Sequence, residues 1–391
     1  MLLRKTEKHL FVRGSTEFAL DLFQKLTTQD KNLFFSPYNL TVLLAMVYSG
    51  ARGDTATQMA EALHFPADHK TLRVQVAELE EQLFAGSAKG SYDLRIGNRI
   101  WSQVGYPLLQ SFLDIVSSRY KSGVEHVDFS QGELTCQVMN RWIEGQTAGL
   151  ITDLVTPEMF TPTTRVMLTS AIYFKGLWLD PFRKESTRDM EFWVSPQRTV
   201  QTPMMYQQVE VPYGEYADVQ VVALPYRHLR DRTQADISMV ILLPRIRGDL
   251  DMISSRLHPK QLGRWVDDLK SHEVKVFLPK FRIQCRHSLQ NILTELGMVN
   301  AFDPMTADFS GMTQAKGPFG IADLLQQAYV NVDEEGTEAA AVSTTMFALS
   351  LDRTRPPIPV FRADHPFLFL IRHNPSGSIL FIGRVNNPRR E

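Results

Sequence analysis

Residues Asp333 to Phe367 read DEEGTEAAAVSTTMFALSLDRTRPPIPVFRADHPF. The segment follows an apolar run that ends at Val330-Asn331-Val332 and precedes another that begins at Phe367-Leu-Phe-Leu-Ile. Turn chemistry calls for Gly, Asn, Asp and Pro at particular positions. After one glycine, Gly336, this segment instead offers Thr, Glu, three Ala, Val, Ser and two Thr. Small and β-branched side chains suit a pleated, half-buried surface, so the connection has the composition of a strand not yet in a sheet. A connection of about thirty residues inside a compact domain is uncommon and usually functional or disordered. Disorder suits Asp352-Arg-Thr-Arg-Pro-Pro but not the Ala-rich part, which is neither charged nor linker-like.

Working outward, the 391 residues are 43% apolar, enough for a large core, and carry a formal net charge of -1. That balance argues against nucleic acid or an anionic membrane as the main partner. Two cysteines, Cys136 and Cys285, are too few for a disulfide framework or a structural zinc site, and no metal is expected. Apolar runs such as Leu40 to Tyr48 and Ile237 to Leu243 fall short of the ~20 residues a membrane span needs. The opening MLLRKTEKHL lacks a hydrophobic signal core, so the chain is expected to be intracellular, or processed or trimmed. The one sequon, Asn39-Leu40-Thr41, lies at the mouth of an apolar helix and reads as a chance match.

Ser15-Thr16-Glu17 predicts a helix start before Phe18, Leu22, Phe23 and Leu26. Ser36-Pro37 predicts an N-cap with proline at the first helical position, and Leu40 to Tyr48 a helix buried on every face. Thr55 to Leu63 restarts a helix, and Leu94, Ile96, Asn98 and Ile100 alternate as in a strand. Leu134, Val138, Met139 and Trp142 form a further helical stripe. From Val166 strands dominate: Val166–Phe174, Val219–Leu224, Val240–Leu243, Val274–Ile283, Phe367–Ile371 and Ile379–Val385. Between them Leu289, Ile292, Leu293 and Leu296 form a helix that closes on Gly297. Helices mostly early, strands mostly late, with no repeat and no Pro/Gly/Ser linker, indicate one α+β domain over residues 1–391.

Hydrolytic chemistry needs a nucleophile, a base and an orienting group. Ten histidines are scattered, with no HExxH spacing and no GxSxG elbow. His64, His69, His228, His258 and His272 read as surface or loop residues, and Gly50-x-x-Gly53 lacks the Lys-Ser/Thr of a phosphate loop. No catalytic residue is assigned.

The chain resembles the serpin family from Phe18 to Pro388. The resemblance rests on Phe34-Phe35-Ser36-Pro37, Gly50-Ala-Arg-Gly53, Asn140-Arg-Trp142 with Thr147-x-Gly149-x-Ile151, and Ala171-Ile-Tyr-Phe-Lys-Gly-Leu-Trp178. It continues in Leu278-Pro-Lys-Phe281, Ala307-Asp-Phe-Ser-Gly-Met312, Asp333 to Ala341, Pro366-Phe-Leu-Phe and Gly383-Arg-Val-Asn-Asn-Pro388. Each piece alone is weak; their order and spacing make them specific. The resemblance implies three β-sheets, about nine helices and a hinge and reactive-centre loop over residues 333–365. A serine protease, or a cysteine protease, attacks this loop and becomes trapped as an acyl-enzyme when the cleaved loop enters the large sheet. The expected protein is therefore an inhibitor and not an enzyme, monomeric and without a cofactor; no basic stripe between Pro66 and Gly90 suggests a heparin-type activator. By family default it is extracellular, with a cytoplasmic location as the alternative. A non-inhibitory carrier or chaperone is the rival function.

The hinge comprises Glu335, Gly336, Thr337, Glu338, Ala339, Ala340, Ala341 and Val342. Thr337, Ala339 and Ala341 alternate inward, while Glu338 and Ala340 face out. The resemblance also implies a polar gate under the sheet, usually two Ser, an Asn and a His. Here the matching residues are Ser36, Asn39, Ser170 and Gln326, with Asn and Ser exchanged and His replaced by Gln. This replacement removes one pH-sensitive element. Trp178 falls at the breach where the loop enters.

Two counts place the cleaved bond. About fourteen residues forward from Gly336, at ~3.3 Å per residue, lies Ser350-Leu351. Counting back from Pro366 reaches Asp352 to Arg355. The forward count is preferred, because three more residues would leave ~10 Å of slack in the tether. Ser350, flanked by Phe347, Ala348 and Leu349, suits an elastase-like or broad-specificity protease; Arg353 is the alternative and would suit a trypsin-like one.

Overall fold

A computed structural model describes residues 10–27, 31–66, 68–88, 92–120, 122–227, 235–337 and 357–389. Helix α1 (Leu10–Leu26) packs Phe11, Phe18, Leu22 and Phe23 into the core. It begins five residues before the predicted start, so Gly14 and Ser15 are interior. A Cβ on Gly14 would lie 2.1 Å from the His64 carbonyl oxygen, and the Ser15 hydroxyl meets that of Thr41 at 3.3 Å. Strand β1 (Leu33–Phe35) leads to Ser36, which caps α2 (Pro37–Tyr48) by accepting the Asn39 N–H; all twelve residues of α2 are buried. Then follow α3 (Gly53–Ala62), α4 (His69–Ala88), β2 (Asp93–Gln103), α5 (Gln110–Tyr120), β3 (Gly123–Val127) and α6 (Gly132–Gln146).

The predicted stripe on α6 is corrected. Leu134 and Val138 are 57% and 49% exposed, and the helix buries Thr135, Cys136, Met139 and Ile143. These small and apolar side chains recur at helical spacing equally well, and they let α6 lie close over Met167, Ala171 and Leu325.

The later chain contributes β4 (Val166–Leu177), β5 (Arg188–Ser195), β6 (Arg198–Glu215), β7 (Val219–Pro225) and β8 (Ile237–Pro244). It continues through α7 (Leu250–Arg256), α8 (Pro259–Asp267), β9 (Lys270–Pro279), β10 (Phe281–Ser288), α9 (Gln290–Glu295) and α10 (Val299–Phe302). It ends with β11 (Ile321–Val332), β12 (Gly336–Thr337), β13 (Val360–Arg362), β14 (Phe367–His373) and β15 (Ile379–Val385). Among the described residues six helices precede β4 and twelve of the fifteen strands begin there or later, an α+β arrangement.

One sheet has six strands in the order β10-β11-β12-β4-β2-β3. The other has nine, β1-β15-β14-β8-β7-β6-β9-β13 with β5 on β6. Among the described residues its two parts join where Tyr213–Glu215 of β6 pair with Gln220–Val222 of β7. Phe34 stacks between Phe369 and Phe381 under the six-stranded sheet, and the buried α2 fills the space beside them.

Candidate functional site at the seam of the six-stranded sheet

β4 and β11 run parallel and pair from Val166↔Ile321 to Ile172↔Ala328. Beyond that point they separate, and β12 lies between them. Thr337 pairs with Val332 on one side; Gly336 and Thr337 pair with Leu177 and Gly176 on the other. β12 is antiparallel to both neighbours. The turn into it is closed by the Asp333 N–H, which donates to the Gly336 carbonyl at 3.0 Å. Gly336 has φ +150, and a Cβ there would lie 2.1 Å from the Gly176 carbonyl oxygen. Only glycine fits this approach.

Aromatic and charged groups surround the head of the seam. Trp178 stacks on Tyr226 at 4.6 Å and donates its indole N–H to the Asp333 carbonyl at 3.0 Å. The Tyr226 hydroxyl meets that of Thr337 at 2.9 Å. Burial pushes the Tyr226 pKa up, against a smaller downward pull from Thr337, so the phenol stays neutral. Glu334 bridges the Lys280 ammonium at 2.8 Å and the Thr187 hydroxyl at 2.8 Å, and Lys184 pairs with Glu335 at 2.7 Å. Burial raises the Glu334 carboxyl, but hydrogen bonds from Lys280, its own N–H and Thr187 outweigh it, and the net shift is downward. Asp333 is shifted the other way, upward, because burial there exceeds its hydrogen bonds to the Glu335 and Gly336 N–H groups.

At the foot, side-chain amides and hydroxyls bridge the seam. Gln326 of β11 and Ser170 of β4 are register partners, and Gln326 Nε2 donates to Ser170 Oγ at 2.9 Å. The same amide grips Ser36 twice, accepting its N–H at 2.9 Å and donating to its carbonyl at 3.1 Å. Asn39 Nδ2 donates to Ser170 Oγ at 2.8 Å, and Asn98 Nδ2 to the Asn39 carbonyl at 3.0 Å. Ser36 Oγ donates to the Leu380 carbonyl at 2.6 Å. Ser36, Asn39, Ser170 and Gln326 thus form one network, fully buried.

The structure gathers Glu335, Gly336, Thr337 and Trp178 at the head and the four gate residues at the foot. The remaining hinge positions Glu338, Ala339, Ala340, Ala341 and Val342 lie outside the described residues. So do Phe347, Ala348 and Leu349, the Ser350-Leu351 bond and Arg353. Sequence reasoning missed Tyr226, Thr187, Glu334 and the role of Lys280, although Lys280 stands within the Leu278-Pro-Lys-Phe281 motif and Glu334 within Asp333 to Ala341. Among the described residues no His, Cys, Asp or Glu group could hold a metal ion, and no helix is long and apolar enough to cross a membrane.

In this two-sheet α+β body a parallel seam is entered at one end by a two-residue antiparallel strand. The chain belongs to the serpin family: the family model, described as serpin (serine protease inhibitor), matches residues 13–388. It is 38% identical to the leukocyte elastase inhibitor of Bos taurus over 390 residues, which cover 96% of this chain and 98% of that protein. Among solved structures it resembles Serpin48, a highly specific serpin of the insect Tenebrio molitor. There the TM-score is 0.85 and the identity 31%, over 96% of this chain and 98% of that one. Human thyroxine-binding globulin complexed with thyroxine superposes with a TM-score of 0.87 at 28% identity, over 98% and 100% of the two chains.

Proposed function

We propose that this protein is an inhibitory serpin that traps serine proteases by inserting its cleaved loop along the β4–β11 seam. The observation that carries the reading is β12, two residues of strand already aligned between two parallel neighbours. A strand extended from Thr337 would continue antiparallel to both. In the reaction, the protease serine hydroxyl attacks the carbonyl of Ser350, an ester forms, and the amine of Leu351 leaves with the proton relayed by the protease. Insertion then outruns hydrolysis of the ester. Relatives named leukocyte elastase inhibitor support an elastase-like target; Arg353 as the cleaved position would instead favour a trypsin-like one, and cysteine proteases form a further class. Two free thiols, Cys136 and Cys285, suit a reducing compartment and favour the cytoplasm over the extracellular default.

Mixing the protein with elastase, subtilisin and trypsin should give a complex that survives a denaturing gel with at least one of them. No such complex with any of the three overturns the reading. Mass spectrometry of the released C-terminal peptide identifies the bond.

A carrier function is the second reading. It draws on the likeness to thyroxine-binding globulin and on a pocket of about 250 Å³ between α1 and α8, lined by Val12, Leu262, Val266, Arg372 and Ile379. That volume is below the usual ligand-pocket range of roughly 300–1,000 Å³. A carrier predicts an unchanged melting temperature after loop cleavage; an inhibitor predicts a sharp rise.

A further inference from the structure

The gate network converges on the short segment Phe34–Ser36, and two adjacent strands hold that segment. From β11, the Gln326 amide grips Ser36 through two hydrogen bonds. From β10, His287 is the register partner of Gln326, so both side chains point to the same face of the sheet. Its Nε2 lies 3.3 Å from the Phe34 carbonyl oxygen, and the ring meets Phe35 edge-on at 6.4 Å. A carbonyl can only accept, so Nε2 carries the hydrogen and Nδ1 is the nitrogen free to titrate. Gln326, which stands where the resemblance implies a histidine, is thus matched by a histidine one strand away, on the same backbone segment.

We infer that His287 is a positioning residue of the gate: neutral, it holds Phe34–Ser36 under the seam and so keeps the Gln326 amide in register with Ser170; protonated, it keeps its bond to Phe34 but carries a half-buried charge with no facing counter-charge among the described residues, which favours opening of the segment. The inference rests on reading the seam as the place of strand insertion. Among the described residues the groups facing the ring offer no counter-charge. On β10, Cys285 lies two residues away on the same face, its thiol pushed up by burial to about 11 and hence neutral. Arg286 points to the other face and reaches the Asp153 carbonyl at 3.4 Å. From β11 the facing group is the uncharged Gln326, while Asp323 is engaged by Ser288 and the Gln290 N–H. β1 brings Leu33, Phe34 and Phe35, and behind it Arg384 of β15 pairs with Asp251. Burial lowers the His287 pKa more than the Phe34 bond raises it. A histidine with a depressed pKa in the closed form contributes stability above its ordinary value near ~6.5, and this stability is lost as pH falls through that value.

Hydrogen exchange of residues 166–172 and 321–328, corrected for intrinsic rates, tests this at pH 7.5 and 5.5. The unmodified protein should lose protection about three- to tenfold at the lower pH, tenfold corresponding to one unit of pKa difference. His287→Gln, which can still donate to Phe34, should match it at pH 7.5 and show a clearly smaller acid response. His287→Phe should lose protection at both. An acid response as large in His287→Gln as in the unmodified protein, or its absence in the unmodified protein, overturns the inference. The buried His373, whose pKa is also lowered, is common to all three proteins and cancels. Because exchange needs no protease, failure of the trapping assay and failure of the His287 role are read separately.

Discussion

At its foot the β4–β11 seam is a parallel pair fastened by amides and hydroxyls. At its head the same two strands are already spread by Gly336 and Thr337, beneath a stacked Trp178–Tyr226 pair. Parallel pairing is slightly less stable per residue than antiparallel. An entering strand replaces one parallel ladder with two antiparallel ones, each added hydrogen bond contributing about 0.5–1.5 kcal/mol net. The head therefore fixes register and direction, since the first two residues are already paired. If the loop enters as proposed, the foot sets the resistance, since Gln326, Ser170 and Asn39 must then exchange partners while buried. The two ends should answer to mutation differently: head variants should change whether the loop enters, and foot variants how readily the seam opens.

The largest effect is expected at the head. Gly336→Val places a Cβ where the Gly176 carbonyl sits, at a φ that side chains rarely adopt. The local cost is on the order of 3 kcal/mol or more. The variant should be cleaved as a substrate without trapping, and cleavage should no longer raise its melting temperature. Full trapping by this variant would remove the head from the account.

Next comes the foot. Gln326→Leu leaves the Ser36 N–H without its partner, while the Ser36 carbonyl keeps the Leu40 N–H, at a cost of about 1–3 kcal/mol for the buried donor left unsatisfied. Trapping should survive, while the intact protein converts faster to an inserted form on warming, as followed by native gels and loss of activity. A variant with unchanged conversion would show that the resistance lies elsewhere.

Lys280→Met tests the charged flank of the head. The Glu334 carboxylate side chain is 6% exposed and Lys280 39%, so the loss should fall between that of a surface pair and a buried one, about 1–2 kcal/mol. Glu334 is shifted downward, so its contribution is present above the ordinary glutamate pKa of ~4.3 and is lost as pH falls through the lower folded value. The stability difference between Lys280→Met and the unmodified protein should therefore shrink below about pH 4. A difference independent of pH would mean that Lys280 acts by packing alone.

What was legible in the sequence divides along the same line. The head announced itself because Gly336-Thr337 is a local signal, a glycine followed by β-branched and small residues. The foot was legible only through family resemblance, since Ser36, Asn39, Ser170 and Gln326 are distant in sequence and meet only through register. Tyr226 and His287 escaped for the same reason: nothing near either in sequence marks its partner. β6 escaped because Pro203 and Pro212 lie within it, and proline in a run argues against a strand. On α6 the larger apolar side chains drew attention to Leu134 and Val138, while close packing selected Thr135 and Cys136. Ser15 has the chemistry of a cap, yet the helix runs through it and its hydroxyl is spent on Thr41 instead. Periodicity reports which residues could be buried; the choice among equal stripes belongs to the partner surface.

The smallest effect separates alignment from opening at the head itself. Thr337→Val keeps the shape and β propensity of the first buried hinge residue but removes the hydroxyl that meets Tyr226 at 2.9 Å. A buried Tyr226 hydroxyl then loses its partner, costing about 1 kcal/mol, and this cost falls on every state in which residue 337 occupies the seam. If the head only aligns the strand, the intact and the cleaved, inserted forms lose the same amount. Their difference in melting temperature should then stay constant and trapping should remain complete. If the Thr337–Tyr226 bond instead acts as a latch on the intact form, that form alone is destabilised and the gap between the two widens. Paired melting curves of intact and cleaved Thr337→Val decide between them, with Tyr226→Phe expected to give the same pattern because it removes the other half of the same bond.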